Sequence, residues 1–220
     1  KTGLSPSGFA ELIGLEYANS TSDVHKKSCG QFFTSKTISD FMGDLALPNF
    51  DKISILDPGC GTAILSCSLI EKMVSKTPIK EINLTLYETD LNVLIETRKV
   101  VDFLTEWLNR KGICINTVIY QTDFIIANAS VFASKSLFEL NETEKFDYII
   151  SNPPYFKISK ADSRACIAKE LVYGQPNIYS IFMGLAAKLL KPEGELIFIT
   201  PRSFAAGNYF CAFRQSFFKQ

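Results

Sequence analysis

The sequence predicts an α/β fold with three layers, in which a mainly parallel, doubly wound sheet carries helices on both of its faces. From residue 53 onwards, short apolar runs alternate with longer stretches of helical periodicity. Several short runs are continuously apolar and rich in β-branched or aromatic residues, as in strands that are buried on both faces. Alternation of strands and helices at this spacing produces a parallel sheet. The predicted strands are residues 53–56, 82–87, 114–120, 146–151 and 195–200, and the predicted helices are 63–76, 91–111 and 178–190.

The composition is that of one sizeable domain. Of the 220 residues, 46% are hydrophobic, which is sufficient for a large core. Lys plus Arg and Asp plus Glu both number 23, so no basic excess indicates a polyanion partner. No run approaches transmembrane length, and residues 1–9 lack the apolar core of a signal peptide.

The six cysteines do not indicate a metal site. No two of them have C-x-x-C spacing, and His25 is the only histidine. We therefore expect no bound metal, and free thiols in the reducing environment of a cytoplasmic protein.

The chain divides into two segments by pattern. Residues 1–25 predict an N-terminal helical segment, with helical periodicity at residues 9–17, and residues 26–220 predict one α/β domain. The chain begins at Lys1 without a methionine and stops at Gln220 inside an apolar periodic run. We therefore expect a fragment of a longer protein.

Polar residues follow four of the predicted strands at the point where each strand ends. Asp57 follows the first strand, Glu88 the second, Asp123 the third and Asn152 the fourth. Parallel strands end at a common edge, and such sheets bind ligands there, where the strand order reverses. A single acid after a strand is common, whereas four polar residues in register predict a binding site.

The loop at residues 57–62 carries Gly59 and Gly61, where the backbone must turn tightly and approach a ligand. Taken alone the pattern is weak, because such turns also occur for packing. No Gly-Lys-Ser or Gly-Lys-Thr follows, so this is not a Walker phosphate loop, and the full G-x-G-x-x-G pattern of dinucleotide sites is absent. The loop therefore suits a nucleoside without a pyrophosphate.

Two of the acids have a functional and a structural interpretation. Glu88 can accept hydrogen bonds from both hydroxyls of a ribose, and Asp123 can accept one from an adenine amine with Phe124 against the ring. Alternatively, Glu88 is a solvated acid at the start of a helix and Asp123 is a helix N-cap. The residues alone leave both interpretations open.

The tetrapeptide Asn152-Pro153-Pro154-Tyr155 is the strongest signal in the sequence. Two consecutive prolines cannot continue a buried strand, so the chain leaves the sheet there in a stiff conformation. The side-chain oxygen of Asn152 and the carbonyl of Pro153 can each accept one N–H of a planar amine, which frees the nitrogen lone pair for reaction. Tyr155 supplies a face on which a planar base stacks.

These residues resemble those of class I S-adenosylmethionine-dependent methyltransferases, and specifically the gamma-class N6-adenine DNA methyltransferases of restriction–modification systems. Besides Asn152–Tyr155, the segment 27–34 (KSCGQFFT) is similar to the segment that closes over the cofactor in that family. Residues 200–210 are similar to the segment after the fifth strand of such methylases. The resemblance spans about residues 26–213.

The resemblance implies a site for S-adenosylmethionine and for a flipped-out adenine. It implies that Thr34 and neighbouring residues of the segment 31–33 contact the methionine part of the cofactor, and that the loop after the first strand holds its amino acid end. It also implies that Glu88 binds the ribose and that Asp123 binds the adenine. Residues 177–182 resemble the stretch that lines the cofactor pocket. The implied cofactor-binding residues are Thr34, Asp57, Gly59, Gly61, Glu88, Asp123 and Phe124, and the implied catalytic residues are Asn152, Pro153, Pro154 and Tyr155.

The resemblance also implies the strand order 3-2-1-4-5 and double-stranded DNA as the partner. Further strands of the family's sheet and any target-recognition domain are expected beyond residue 220, and the sequence leaves open whether a nuclease is fused or separate. With no basic excess, residues 1–220 alone are expected to have little affinity for DNA.

Three alternatives remain from the sequence. A protein-glutamine N5-methyltransferase acting on release factors uses a similar Asn-Pro-Pro-Tyr on an amide, and a ribosomal RNA guanine methyltransferase is another candidate. The segment at residues 31–34 and the one around residues 208–210 argue against both. A catalytically silent, methyltransferase-like DNA-binding module is disfavoured because Asp57, Glu88, Asn152 and Tyr155 are intact.

Overall fold

A parallel sheet forms the centre of the computed structural model, which describes residues 3–22, 33–48, 50–132, 144–171, 176–207 and 210–218. Within these ranges the sheet has five strands in the order β3-β2-β1-β4-β5, and every neighbouring pair is parallel. The predicted α/β class and strand order are therefore confirmed. The strands are β1 (Lys52–Asp57), β2 (Glu81–Glu88), β3 (Cys114–Gln121), β4 (Phe146–Ser151) and β5 (Leu190–Phe198).

Helices cover both faces of this sheet and form two cores. Ile55 of β1 belongs to the core on the face of the sheet that the four N-terminal helices cover. The next residue, Leu56, belongs to the core on the opposite face. This division follows from the alternation of side chains along a strand. The helices are α1 (Pro6–Ser20), α2 (Lys36–Leu45), α3 (Ile64–Lys76), α4 (Leu91–Asn109), α5 (Phe124–Ala127), α6 (Ser163–Ile167), α7 (Ile178–Leu189), α8 (Ser203–Ala206) and α9 (Cys211–Phe217).

The direction of the crossovers reverses between β1 and β4. Helices α3 and α4 connect β1 to β2 and β2 to β3 across one face, whereas α7 leads into β5 across the other. The reversal leaves a crevice at the carboxyl ends of β1 and β4, which is the usual ligand site of such sheets.

The edge strand β3 differs from the central strands in burial. All six residues of β4 are buried, including the polar Asp147 and Ser151. In β3, by contrast, every residue is exposed or half-buried, and the side chains of Val118 and Tyr120 lie at the surface. In the part of the chain that the structure describes, β3 pairs with β2 alone, so its apolar run marks an edge rather than a strand buried on both faces.

The bounds predicted for the fifth strand were wrong. The predicted strand covered residues 195–200 and the predicted helix before it ended at 190, whereas β5 already begins at Leu190 and ends at Phe198. Leu190 pairs with Phe146 and Glu195 pairs with Tyr148, so the residues between them shift the register of the ladder. Glu193 has a φ of 65°, as expected at such an irregularity.

The N-terminal helix α1 is fixed to the sheet domain by packing and by a cap. It packs against α3 and α4, and Glu71 of α3 accepts hydrogen bonds from the backbone N–H (2.6 Å) and the hydroxyl (2.8 Å) of Ser7. The predicted boundary at residue 25 lies outside the described residues and stays a prediction. None of the described helices is long and apolar enough to cross a membrane.

Candidate active site

A cavity of about 350 Å³ opens at the carboxyl edge of the sheet, in the crevice left by the reversal of the crossovers. Its volume is within the range of small-molecule sites. The cavity brings together residues from the ends of β1, β2, β3 and β4. Of the residues predicted from the sequence, it is lined by Gly59, Gly61, Glu88, Asp123, Phe124, Asn152 and Pro154.

Gly61 anchors the loop after β1 through both of its backbone groups. Its N–H donates to Glu88 Oε2 (3.1 Å), and its carbonyl accepts from the hydroxyl of Thr97 (2.6 Å) in α4. Gly61 has a φ of +51°, which favours glycine, and a Cβ there would meet no atom within 4 Å. The space that a side chain would occupy is therefore left to the cavity.

Glu88 is held by backbone groups at the end of β2. Its Oε1 accepts from the N–H groups of Thr89 (2.7 Å) and Asp90 (2.9 Å), and its Oε2 accepts from Gly61. Burial raises the pKa of Glu88, and these hydrogen bonds oppose that rise. A carboxylate can accept about four hydrogen bonds, so Oε2 retains capacity for a donor from the cavity.

Asp57 lies beneath the loop rather than on the cavity wall. Its side chain is completely buried, and its Oδ2 accepts from the hydroxyl of Ser66 (2.9 Å) in α3. Burial raises the pKa of Asp57 to about 7, while Ser66 and the backbone N–H of Gly59 oppose the rise. The structure therefore brings Asp57 to the base of the loop at residues 57–62, called the glycine loop from here on. A contact between Asp57 and a ligand stays a prediction.

Asp123 and Phe124 begin the short helix α5 at the end of β3. Asp123 Oδ1 accepts from the backbone N–H groups of Ile125 (2.8 Å) and Ile126 (3.2 Å), so the N-cap interpretation holds. The cap uses only one carboxylate oxygen, and Asp123 also lines the cavity. Phe124 is packed between Tyr87 and Phe182, at ring-centroid distances of 5.3 and 5.2 Å. These rings form an aromatic wall beside the acid.

Asn152 is oriented by two hydrogen bonds to neighbouring segments. Its Nδ2 donates to Thr34 Oγ1 (3.1 Å), and its Oδ1 accepts from the hydroxyl of Tyr155 (2.7 Å). The amide oxygen thus faces Tyr155 and the amide nitrogen faces Thr34, the residue before the N-cap of α2. Residues 27–32, the rest of the segment expected near the cofactor, lie outside the described residues.

Tyr155 faces a second recess of about 400 Å³ next to the first cavity. Its hydroxyl also lies 2.9 Å from the carbonyl oxygen of Ile199, after β5. Burial raises the pKa of Tyr155 to about 12, so the hydroxyl stays protonated at neutral pH. The recess is mainly aromatic and apolar, and is lined by Tyr155, Phe156, Lys157, Asn177, Tyr179, Pro201 and Phe210. Pro153 is buried at the base of this turn.

Several cavity residues were not predicted individually from the sequence. Phe33 belongs to the segment 27–34, and Ile178 and Phe182 belong to the stretch 177–182, both of which the resemblance indicated, whereas Tyr87, Phe156 and Arg164 were not singled out. Tyr87 directly precedes Glu88, so its position next to a predicted site residue was an available signal. Arg164 lies in the short helix α6, and the only local signal is Asp162 two residues earlier, which caps that helix.

The fold is that of class I S-adenosylmethionine-dependent methyltransferases. A protein from Listeria monocytogenes described as such a methyltransferase superposes with a TM-score of 0.68 at 18% identity, over 99% of this chain and 60% of that one. The methyltransferase subunit of a type I restriction–modification system from Streptococcus thermophilus superposes with a TM-score of 0.61 at 15% identity, over 98% and 45% of the two chains.

The chain belongs to the Eco57I restriction-modification methylase family, whose sequence model matches residues 63–220. It is 32% identical over 201 residues to the Type II methyltransferase M.PstI of Providencia stuartii, covering 91% of this chain and 38% of the relative. It is 30% identical over 194 residues to M.BsuBI of Bacillus subtilis, covering 87% and 37%. The chain therefore spans less than half the length of these relatives.

The cavity fits S-adenosylmethionine, the cofactor of this class of fold. A nucleoside offers ribose hydroxyls and a purine amine as donors, and Glu88 and Asp123 present carboxylate oxygens at the cavity. The open space at Gly61 and the aromatic wall at Phe124 and Phe182 accommodate an amino acid chain and a flat ring, respectively.

Proposed function

We propose that this chain is the catalytic part of a DNA methyltransferase of a restriction–modification system, which transfers a methyl group to N6 of a flipped-out adenine. The observation that carries this proposal is the position of Asn152. Its amide lies at the boundary between the cavity suited to the cofactor and the recess at Tyr155, so a base in the recess presents its amine to the cofactor.

The proposed cofactor contacts follow the order of the strand ends. Glu88 binds the ribose hydroxyls, Asp123 accepts from the 6-amino group of the cofactor's adenine, and Phe124 lies against that ring. The loop with Gly59 and Gly61 surrounds the amino acid end, with Asp57 supporting it from below. Thr34 acts next to this end by fixing Asn152.

The proposed reaction is a direct transfer. S-adenosylmethionine supplies an electrophilic methyl group on a sulfonium. Asn152 Oδ1 accepts one N–H of the target amine and the carbonyl of Pro153 accepts the other, which localises the nitrogen lone pair. An amide oxygen can accept two hydrogen bonds, and one donor to Oδ1 is the hydroxyl of Tyr155. Positioning then supplies most of the catalysis.

The residues of the site also argue against a covalent intermediate on cysteine. Cys60 is the cysteine of the glycine loop, and burial raises the pKa of its thiol well above the ordinary value. A buried, protonated thiol is a poor nucleophile. The amine itself is the attacking group in the proposed reaction, and it loses its proton after methylation, when it is more acidic.

The stacking role of Tyr155 is supported by the aromatic recess. Tyr155 and Tyr179 are 6.0 Å apart between ring centroids and Tyr179 and Phe210 are 5.7 Å apart, so the lining offers several ring surfaces. Base stacking on aromatic side chains is worth about 1–3 kcal/mol per base. That is comparable to the few kcal/mol that flipping a base costs.

Methyl transfer from tritiated S-adenosylmethionine tests the proposal. The full-length protein is incubated with double-stranded DNA, with a release factor and with ribosomal RNA, and the DNA product is digested to nucleosides. We expect label on DNA, in N6-methyl-2′-deoxyadenosine. Label on the release factor or on RNA would replace the proposal by one of the alternative substrates, and cofactor binding without transfer to any substrate would indicate a silent DNA-binding module.

A further inference from the structure

Arg164 reaches the adenine side of the cavity from the segment that follows Tyr155. Asp162 fixes its guanidinium through two parallel hydrogen bonds, from Nε to Oδ1 (2.9 Å) and from Nη2 to Oδ2 (2.7 Å). Such a bidentate pair defines both the position and the plane of the guanidinium. Asp162 also accepts from the backbone N–H of Arg164 (3.0 Å) as the N-cap of α6, so the pair is built on a fixed backbone.

The third nitrogen of the guanidinium is directed at Asp123. Nη1 of Arg164 lies 3.5 Å from Asp123 Oδ2, the oxygen that the helix cap does not use. Both side chains are about four-fifths buried, so the attraction is less screened than at an open surface. At 3.5 Å the contact is at the long limit of a hydrogen bond, and Oδ2 keeps capacity for a further donor from the cavity.

Arg164 also contacts the segment between the two cavities. Its guanidinium carbon lies 5.6 Å from the ring centroid of Phe156, within the range of cation–π interactions. Phe156 lines both the cavity and the recess at Tyr155. The guanidinium thus contacts both Asp123, after the end of β3, and Phe156, which directly follows Tyr155.

We propose that Arg164 is a positioning residue that makes the site selective for a purine with an exocyclic 6-amino group. Arg164 holds Oδ2 of Asp123 in the direction from which it accepts that amine. Each oxygen of Asp123 then has a partner, since Oδ1 accepts from the backbone of α5 and Oδ2 faces Arg164. The carboxylate is therefore oriented before a ligand binds. The inference rests on the proposed function, because it requires that the cavity bind the nucleoside of S-adenosylmethionine.

Calorimetry with two ligands tests this role in the full-length protein. The ligands are S-adenosylhomocysteine and its analogue with an unsubstituted purine, which lacks only the 6-amino group. We expect Arg164→Gln to weaken binding of S-adenosylhomocysteine about tenfold and to change binding of the purine analogue less than about twofold. Arg110→Gln, at an exposed arginine paired with Glu106, is the matched control and should change neither.

The results separate this inference from the proposed function. An equal loss for both ligands would show that Arg164 only supports the fold of the cavity, and no loss for either ligand would show that it does not act through Asp123. Either result overturns the inference alone. A wild-type protein that binds neither ligand would overturn the proposed function as well.

A second variant tests the role without removing the arginine. Asp162→Asn keeps the N-cap of α6, because Asn caps helices as well as Asp does. It weakens the two parallel hydrogen bonds that hold the guanidinium of Arg164. We expect a smaller loss, about threefold, again confined to the ligand with the 6-amino group. A loss of the same size for both ligands would contradict the inference even if Arg164→Gln fails to fold.

Discussion

The hydroxyl of Tyr155 lies 2.7 Å from Oδ1 of Asn152, so the last residue of the Asn-Pro-Pro-Tyr turn fixes the side chain of the first. The same hydroxyl lies 2.9 Å from the carbonyl oxygen of Ile199, which connects the turn to the segment after β5. Thr34 accepts from the other end of the amide. The orientation of Asn152 therefore depends on three separate parts of the chain.

Removing only this hydroxyl should reduce methyl transfer while leaving the ring in place. In Tyr155→Phe the aromatic face remains, but Asn152 loses the hydrogen bond that orients its oxygen. One such bond is worth about 1 kcal/mol, so we expect single-turnover methylation of DNA to fall about fivefold with little change in cofactor affinity. The rate should fall further in Tyr155→Ala, because that substitution also removes the stacking surface. Equal rates for wild type and Tyr155→Phe would show that the hydroxyl does not position the amide.

Replacing Asn152 itself should remove catalysis and spare cofactor binding. Asn152→Ala loses the acceptor for the target amine, and preorganised groups of this kind contribute on the order of a hundredfold or more to turnover. We expect methyl transfer to fall by that factor, with calorimetry showing nearly unchanged affinity for S-adenosylhomocysteine. Asn116→Ala on the exposed strand β3 is the matched control. Turnover near that of wild type in Asn152→Ala would rule out the proposed activation of the amine.

Glu88→Gln should weaken the cofactor complex. The substitution keeps the size of the side chain but replaces a charged acceptor of the ribose hydroxyls, and hydrogen bonds to charged groups are worth about 1.5–3 kcal/mol. We expect the Kd for S-adenosylmethionine to rise at least about tenfold in calorimetry. Glu106→Gln, at an exposed position of α4, should leave the Kd unchanged. A folded Glu88→Gln protein with wild-type affinity would exclude Glu88 as the ribose ligand.

The fold could be predicted from the sequence because its signals are local. Continuous apolar runs and helical periodicity locate β1 and β4, and the polar residues at their ends locate the cavity. The start of β5 could not be predicted, because residues 191–194 have the composition of a turn. The strand begins earlier since Leu190 pairs with Phe146, which is a tertiary contact.

The contacts within the site could not be predicted for the same reason. Thr34 and Asn152 are 118 residues apart, and Arg164 and Asp123 are 41 apart. Thr34 lies outside any helix or strand, and Arg164 lies in the short helix α6. Neither segment has a periodicity that fixes its position relative to the end of a strand. The sequence predicted Asp123 and Asn152 as site residues and the structure places both at the cavity, but only the structure shows which side chains orient them.

The close approach of α2 to α3 should make Gly43 sensitive to a methyl group. A Cβ at Gly43 would lie 2.9 Å from the carbonyl oxygen of Ser68 and 3.1 Å from the backbone nitrogen of Leu69, so the helices would have to separate. Overpacking of this kind costs about 1–3 kcal/mol, which exceeds the gain of up to about 1 kcal/mol in helix propensity. We expect a lower free energy of unfolding for Gly43→Ala in urea. Gly8→Ala, in α1 with no contact under 3.4 Å, should not be destabilised.

The buried carboxyl of Asp57 should make the stability of the unliganded protein fall between about pH 4 and pH 7. Its folded pKa of about 7 lies above its ordinary value of 3.8, because burial disfavours the charged form. Below pH 4 the group is protonated in both the folded and the unfolded chain. Between the two pKa values only the folded chain retains the proton, so each rise of one pH unit lowers the free energy of unfolding. Above pH 7 the group is charged in both states, and the free energy of unfolding falls no further on its account.

Asp57→Asn should remove this dependence, because the amide is neutral at every pH. In urea denaturation from pH 4 to pH 8, we expect the variant to gain on the order of 3 kcal/mol relative to wild type between pH 4 and pH 7, and nothing further above pH 7. Asp51→Asn is the control, since Lys80 lowers the pKa of that exposed carboxyl and its titration lies below this range. A difference between Asp57→Asn and wild type that stays constant from pH 4 to pH 8 would mean that Asp57 is charged throughout. In that case the glycine loop would rest on a carboxylate whose charge is compensated in the folded protein.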